Sequence, residues 1–470
     1  VGEYAWTFEE AADDAGVQQA NRRNRGAAGA DFDGDGDVDL FLANTGEGTS
    51  LLLNNGDGTF EEQPWGVPST GWDAAVAAAD FDNDGDDDVF LACGGFGTTC
   101  ANGLYRNDGV DEDGFVRWTD LSDDVGMSGV DNASMGGAWG DYDNDGDLDL
   151  HVTAKDLSRS YDSGFPSPGG GDLSDGPPAP DFSASTRDLL YRNDGGGVFT
   201  EVGAAAGIDL ADNSHRSFWI DYDQDGWLDL YVPVFRGDNA LLRNNGDGTF
   251  EERTPEALLS PYWSFSTVER DFDQDGHLDI LSVAETPMRP DDPMEEHGVF
   301  LSDGAGGFEP KARAQGITHL DHPMGDRPMG LQADDIDGDG APDIVIGNGN
   351  PMPNRDLFRN RLLASSRGVG GGEPAAPHRD LSEVIDWPAP GYADRYPSRT
   401  HGIVLEDFDQ DGLVDIFLGN GGMYTDQREP NRLFRNQSPC RFASVRVTPR
   451  GVTTNRDGVG AKIQVQPDAS

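Results

Sequence analysis

One acidic pattern, D-x-D-x-D-G-x-x-D, occurs seven times along this chain, starting at Asp31, Asp80, Asp141, Asp221, Asp271, Asp335 and Asp407. Such a loop can turn the carboxylates at positions 1, 3, 5 and 9 toward one point. Glycine at position 6 permits the sharp bend, and the backbone carbonyl of position 7 adds a ligand, which is the oxygen-rich, flexible geometry that suits calcium. A lone match is weak evidence. Seven with the same internal spacing confine the chain to a repeat architecture with one metal per repeat.

The expected ligands follow loop by loop. The first three loops offer Asp31, Asp33, Asp35, Asp37 and Asp39, then Asp80, Asp82, Asp84, Asp86 and Asp88, then Asp141, Asp143, Asp145, Asp147 and Asp149. The fourth has Asp221, Asp223, Asp225, Trp227 and Asp229, and the fifth Asp271, Asp273, Asp275, His277 and Asp279. The sixth has Asp335, Asp337, Asp339, Ala341 and Asp343, and the seventh Asp407, Asp409, Asp411, Leu413 and Asp415. Trp227, His277, Ala341 and Leu413 stand at position 7, where only the carbonyl is required. About seven calcium ions are expected, in a structural role, because the protein's own oxygens saturate them. The apolar residue at position 2 (Phe32, Phe81, Tyr142, Tyr222, Phe272, Ile336, Phe408) is expected to pack between sheets.

Each repeat reads as four short strands. In the third, Ser134–Trp139 leads into the loop, Leu148–Thr153 alternates as a strand should, and Leu189–Arg192 and Val198–Val202 flank an N-D-G-G-G turn. A third-strand signature ending in asparagine recurs as Leu51–Asn54, Leu104–Asn107, Leu189–Asn193, Leu241–Asn244, Leu357–Asn360 and Leu433–Asn436, and the fifth repeat has V-F-L-S-D at Val299–Asp303 instead. Seven four-stranded sheets avoid open edges by closing radially, so the expected fold is all-β: a seven-bladed β-propeller with a calcium loop in every blade. The segment Trp6–Val17 resembles the end of a repeat, and the last repeat stops after its third strand. The N-terminal segment (6–17) should therefore complete blade seven. The propeller is expected over 1–437, with the truncated start of a small β domain over 438–470. Insertions are expected at Asp156–Arg187, Pro287–His297 and Arg361–Arg379.

The net charge is −54 over 470 residues and stays strongly negative with seven divalent ions bound. Long-range repulsion makes nucleic acid and anionic membranes poor partners, whereas a glycan or an extracellular protein remains compatible. Only three lysines occur (Lys155, Lys311, Lys462), so arginine supplies nearly all basic residues, as in a high-GC genome. No apolar run is long enough to span a membrane. Cys93 and Cys100 bracket a glycine-rich loop and are expected to pair, the alternative being two free thiols; Cys440 has no evident partner. With calcium loops and no signal peptide at Val1, the chain reads as a mature secreted, periplasmic or cell-surface protein.

The loops resemble the FG-GAP/VCBS repeats of integrin α-subunit propellers. The tail Phe442–Val465, with T-N-R-D-G-V-G-A-K inside it, resembles the start of an ASPIC/UnbV domain. Together they resemble the cartilage acidic protein 1 family, which has bacterial members. The resemblance implies a calcium-bound extracellular propeller and little about activity.

The innermost strand precedes each loop. Six residues before the loop stand Arg25, Ala74, Met135, His215, Phe265, Met329 and His401. Two residues further out stand Arg23, Trp72, Ala133, Asn213, Trp263, Arg327 and Arg399. If strand alternation holds, these are two stacked rings at one mouth of the channel. Arg23, Trp72, Trp263, Arg327 and Arg399 would then stack a sugar or clamp a carboxylate, the alternative being channel packing with solvated arginines. His215 and His401 with Met135 and Met329 offer imidazole and sulfur to a transition metal such as copper, the alternative being ordinary packing. His319 and His322 lie upstream of blade six and could join such a site.

The expected function is an extracellular calcium-binding module that recognises a glycan or a protein. The competing readings are an enzyme at the channel mouth, either a transition-metal redox site or a polysaccharide lyase-like activity, and a structural spacer of a cell-surface protein. Oligomeric state is not legible.

Overall fold

The second strand of every repeat is short, apolar and without alternation, as in D-L-F-L-A-N at Asp39–Asn44 and D-V-F-L-A-C at Asp88–Cys93, and every residue of both is buried. A sheet buried on both faces needs neighbours on both sides. Seven four-stranded antiparallel sheets stand side by side in a ring and provide them. The computed structural model describes residues 6–94, 100–127, 131–155, 187–208, 210, 213–235, 237–259, 264–284, 298–311, 328–349, 360–365, 378–382, 399–422 and 428–438.

Blade 1 is built from Asn24–Ala30, Asp39–Asn44, Ser50–Asn54 and Phe60–Glu62, paired in that order from the channel outward. Blades 2 to 6 repeat the plan from Asp73–Ala79, Ser134–Gly140, Phe218–Ile220, Ser264–Arg270 and Pro328–Asp334. Blade 7 uses Thr400–Glu406, Asp415–Asn420 and Arg432–Asn436 and takes its fourth strand, Phe8–Glu10, from the start of the chain.

The ring is closed by that strand. Phe8 pairs with Asn436 and Glu10 with Phe434, and the Ala11 and Gln437 amides extend the ladder at 2.8 and 2.7 Å. Beyond it, Ala12, Ala15 and Val17 pack with Leu40 and Phe60 of blade 1 and with Phe408 and Phe417 of blade 7. One dozen residues thus carry hydrogen bonds for one blade and apolar contact for both. Cys93 and Cys100 are joined by a disulfide, Cα to Cα 5.5 Å. It pins the connection from which Cys100–Ala101 pairs with Asp131–Asn132, ahead of blade 3.

Three sequence expectations change. The strand of blade 3 is Asp149–Ala154 and is buried throughout, so the alternation read into it is not one of inside and outside. Its His151 is enclosed, with Nδ1 2.7 Å from Ser217 Oγ of blade 4, and burial lowers its pKa to about 3. In blade 6 the third strand is Arg361–Ala364, not Leu357–Asn360, and the insertion begins after it. Leu362 and Leu363 are the residues that reach the core, and Ile344 pairs with Leu363. Asn360 instead accepts the Asn348 amide at 2.8 Å, as Asn102, Asn239 and Asn431 accept the amides of Cys93, Val234 and Asn420 just before their own third strands. The L-F-R-N motif there mimics the signature one strand-start too early.

The third change concerns the innermost strands. Six of them carry a register shift at one place: between Asn24 and Gly26, Asp73 and Ala75, Ser134 and Gly136, Ser264 and Ser266, Pro328 and Gly330, and Thr400 and Gly402. The skipped residue is always the one six before the loop. A bulge adds a residue and re-aims its side chain, so simple alternation between that position and the one two residues out does not hold. The segments 156–186, 312–327, 350–359, 366–377 and 439–470, which include the first insertion, His319, His322, Cys440 and most of the tail, lie outside the described residues, as do Trp263 and Arg327.

Candidate metal centres and the channel ring

Each acidic loop folds on its own backbone before any ion is considered. Positions 4 and 6 both take positive φ: 75° and 99° at Gly34 and Gly36, 62° and 109° at Asn83 and Gly85, 58° and 89° at Gln224 and Gly226. Sequence reasoning placed the left-handed turn at position 6 alone. Position 4 is glycine in two loops and asparagine or glutamine in the other five, at a conformation that side chains rarely adopt. The position 6 amide donates to the position 1 carboxylate, at 3.0 Å in loop 1 and 2.8 Å in loop 6. The position 7 amide donates to position 5, at 2.9 and 3.0 Å in the same two loops. Loop 6 therefore makes the same turn despite Ala341 and Pro342.

The carboxylates converge. Asp31, Asp33 and Asp39 bring ligand atoms within 4.8 Å of one another, as do Asp80, Asp82 and Asp88, then Asp141, Asp143 and Asp149, then Asp221, Asp223 and Asp225, then Asp271, Asp273 and Asp279. Two more such groups occur among the described residues. The buried oxygens Asp31 Oδ1, Asp143 Oδ1, Asp221 Oδ1, Asp223 Oδ1 and Asp335 Oδ1 have no hydrogen-bond donor. A buried acceptor without a donor is costly, and a shared cation answers several at once.

Electrostatics agree. Burial, then the charge of neighbouring carboxylates, pushes position 9 up to about 8 at Asp39, about 9 at Asp88 and Asp149, and about 7 at Asp229, Asp279 and Asp415. The same causes raise Asp33, Asp143 and Asp337 to about 6. Without a cation these groups resist full ionisation. The all-oxygen donor set fits a hard divalent ion, with positions 1, 3 and 9 converging in loops 1, 2, 3 and 5 and positions 1, 3 and 5 in loop 4.

Position 9 does more than the sequence suggested. Its Oδ2 accepts the amide of position 2 in its own loop, at 2.9 Å for Phe32 to Asp39 and 2.8 Å for Phe272 to Asp279. Its Oδ1 accepts an amide of the third strand of the same blade or of the residue just after it: Asn54, Asn107, Asn193, Asn244, Ser302, Ser365 and Asn436, all at 2.7 or 2.8 Å. Where that residue is asparagine, its side chain crosses to the preceding blade. Asn107 Nδ2 donates to the Phe32 carbonyl at 2.8 Å, Asn193 to Phe81 at 2.8 Å, Asn244 to Tyr142 at 2.7 Å, and Asn436 to Ile336 at 2.9 Å. The acceptor is position 2 of the acidic loop each time. The recurring asparagine was visible in the sequence; its partner one blade away was not.

Position 2 packs where expected. Phe81 meets Trp139 and Phe199 of blade 3, and Tyr142 meets Trp219 and Phe250 of blade 4, with ring centroids 5.5 to 6.1 Å apart. Position 4 links the loops as well. Asn83 Nδ2 donates to Asp147 Oδ1 at 3.0 Å and Asn144 Nδ2 to the Gly226 carbonyl at 3.1 Å, while Gln410 reaches Asp37 and Gln224 contacts His277. Neighbouring loops are thus tied along four of the seven interfaces.

The opposite end of the innermost strands differs from blade to blade. Arg23 is buried and faces Glu47 at 3.4 Å, and Glu47 also takes the Arg428 guanidinium at 2.7 Å. Arg399 is buried beside Glu429 at 3.6 Å. The alternative of solvated channel arginines therefore fails for Arg23 and Arg399, and the carboxylate that each faces is a glutamate of its own chain. Trp72 is half-buried and bridges by its backbone to Thr45 of blade 1. Met135 and Met329 are half-buried bulge residues.

His215 lies against Phe235, ring centroids 5.6 Å apart. Burial holds the imidazoles of His215 and His401 well below their usual pKa. Lys155, Arg216 and Arg25 add to this at His215, and Arg25, Arg216 and Arg399 at His401. Neutral imidazole is a good ligand, but this field repels a cation, and no described residue around these imidazoles favours copper.

Residues 31–91 and 221–282 match the family model of the FG-GAP-like repeat. Over 224 residues, 47% of this chain, the sequence is 34% identical to cartilage acidic protein 1 of Xenopus tropicalis, and over 225 residues it is 32% identical to cartilage acidic protein 1 of Homo sapiens. The match spans 30% of the length of each of these relatives. Among solved structures, the BP39L lectin from Burkholderia pseudomallei is 13% identical with a TM-score of 0.49, over 85% of this chain and 92% of that one. BBS1N in complex with ARL6DN, soaked with mercury, is 8% identical with a TM-score of 0.47, over 94% of this chain and 100% of that one. Neither likeness bears on ligand or activity.

Proposed function

We propose, from the premise that this chain is an FG-GAP-repeat propeller similar to cartilage acidic protein 1, that it is a calcium-braced extracellular module that binds a glycan or a protein. Calcium belongs to the frame in this reading. Residues at positions 1, 3, 5 and 9 of each loop hold it, and it neutralises carboxylates of which position 9 also ties its loop to the third strand of the blade. The secreted location accords with the Cys93–Cys100 disulfide, which persists in oxidising compartments.

One observation carries the binding role. The chain repeats the same residues at the acidic loops yet varies the bulged residue at the far end of the innermost strand, from Arg25 to Ala74, Met135, Met329 and His401. Uniform residues serve the frame; a bulge whose side chain changes from arginine to alanine, methionine and histidine around the ring serves recognition. Trp72, beside this ring, supplies an aromatic face for a sugar or an apolar side chain.

Screening the calcium-loaded protein against immobilised glycans and extracellular proteins, then repeating any hit with Trp72→Ala, tests the reading. Loss of affinity with an unchanged circular dichroism spectrum supports it. Binding that ignores Trp72→Ala places the ligand elsewhere, and no ligand in either screen sinks the role.

A further inference from the structure

An arginine recurs just before the asparagine of the third-strand signature: Arg106 in blade 2, Arg192 in blade 3, Arg243 in blade 4 and Arg435 in blade 7. What each guanidinium meets follows from the residue two places on. In blades 2 and 3 that residue is an aspartate, and it holds the arginine. Arg106 meets Asp108 Oδ1 at 2.7 Å and stays 3.9 Å from Asp82 of loop 2, and Arg192 meets Asp194 Oδ1 at 2.6 Å. In blade 7 the residue is Gln437, and Arg435 reaches instead to the Asp57 and Gly58 carbonyls of blade 1, at 3.2 and 2.8 Å.

In blade 4 it is Asn245, whose side chain donates to Thr249 Oγ1 at 3.1 Å and carries no charge to hold a guanidinium. Arg243 turns into loop 4. Its Nε donates to Asp223 Oδ2 at 2.7 Å and its Nη2 to Asp225 Oδ2. These are positions 3 and 5 of an acidic loop, two of its four expected ligands.

The oxygen taken at position 5 matters. As in loops 1 and 6, the position 7 amide occupies Oδ1 of position 5, here Trp227 to Asp225 at 3.0 Å. Oδ2 is then the oxygen left for an ion, and it is the one Arg243 engages. Loop 4 is also where positions 1, 3 and 5 converge, whereas loops 1, 2, 3 and 5 bring together positions 1, 3 and 9. A guanidinium that forks over positions 3 and 5 draws those two toward each other.

Arg243 is 33% exposed, so the pair by itself adds little to stability. Its effect on a divalent ion is larger. A positive charge fixed on the same carboxylates repels the ion, and a ligand oxygen must be given up before the ion is fully held.

We propose that Arg243 is a built-in competitor for calcium at loop 4, so that this loop fills last and empties first as external calcium changes. The inference rests on the reading of the acidic loops as calcium sites and adds regulation to one of them. Its effect reaches the neighbouring blade, because Asp229 of the same loop holds the Asn244 amide at 2.8 Å and Asn244 donates to the Tyr142 carbonyl of blade 3 at 2.7 Å.

Isothermal titration of the full chain with calcium chloride, after EGTA treatment and desalting, tests it. The parent should show one site about tenfold weaker than the rest, as affinity follows the charge and number of ligands. Asp221→Asn should remove that site alone. Two substitutions that leave every carboxylate of loop 4 in place should bring it close to the others. Arg243→Gln removes the guanidinium, and Asn245→Asp supplies the aspartate that holds the arginine in blades 2 and 3. Seven equivalent sites in the parent would overturn the competitor and keep calcium as the brace. A weak site that both variants leave unmoved, or that Arg243→Gln weakens further, would also overturn it. No calcium at any loop would end the calcium reading itself, and the competitor with it.

Discussion

Asn54 of blade 1 donates its side-chain amide to the Phe408 carbonyl of blade 7 at 2.9 Å, closing the ring with the bond that joins other neighbouring blades. The same asparagine takes the Gly56 and Gly58 amides on its Oδ1 at 3.1 and 3.2 Å, and its own amide is held by Asp39 at 2.7 Å. Acidic loop, third strand and neighbouring blade therefore meet at one residue, and what stabilises one loop is transmitted to the next sheet.

Asn193→Ala removes the donor to the Phe81 and Leu148 carbonyls, which lie 2.8 and 3.2 Å away, and leaves both buried. The expected cost is about 2–4 kcal/mol. Asn245→Ala, in the exposed turn where the side chain bonds Thr249, should cost under about 1 kcal/mol. Urea unfolding of both variants in calcium measures the difference, and equal costs would remove the asparagine from the account.

Much of this frame was legible before the structure. Seven spaced aspartate loops imply a ring, and the incomplete last repeat implies closure by residues near Phe8, because both are matters of count and period. The partner of Asn193 was not legible, because the contact joins residues more than a hundred positions apart and carries no local pattern. The bulge at Arg25 and His401 was missed because alternation assumes an unbroken ladder. Blade 6 was misread because Asn360 ends a motif like the true signature while serving as the acceptor before the strand.

Asp143→Asn removes a charge from loop 3 at a carboxylate whose Oδ1 is buried without a donor, while the main-chain bonds of Asp149 to Tyr142 and Asn193 remain. The variant should fold and carry one calcium fewer than the parent after desalting, by inductively coupled plasma mass spectrometry. An unchanged calcium content would exclude loop 3 as a site.

The pH dependence should change sign with calcium. In the metal-free protein the position 9 carboxyls have pKa values raised to between about 7 and about 9, above their unfolded value of 3.8. The folded state then holds more protons than the unfolded one, so the stability these groups contribute is lost as pH rises through that range. The melting temperature of metal-free protein should fall between pH 6 and 9. Calcium requires the ionised carboxylates, so with calcium in excess the melting temperature should hold or rise across the same interval. Parallel trends in the two series would contradict a shared role for these aspartates.

The most direct measurement is the metal content and melting temperature of the purified chain, before and after chelation with excess EGTA. The account predicts about seven calcium ions per chain, one for each acidic loop, and a melt that falls by well over ten degrees once they are removed. Little or no calcium in protein purified and assayed with calcium present, or a melt unmoved by its removal, would contradict the claim that the acidic loops brace the ring through metal.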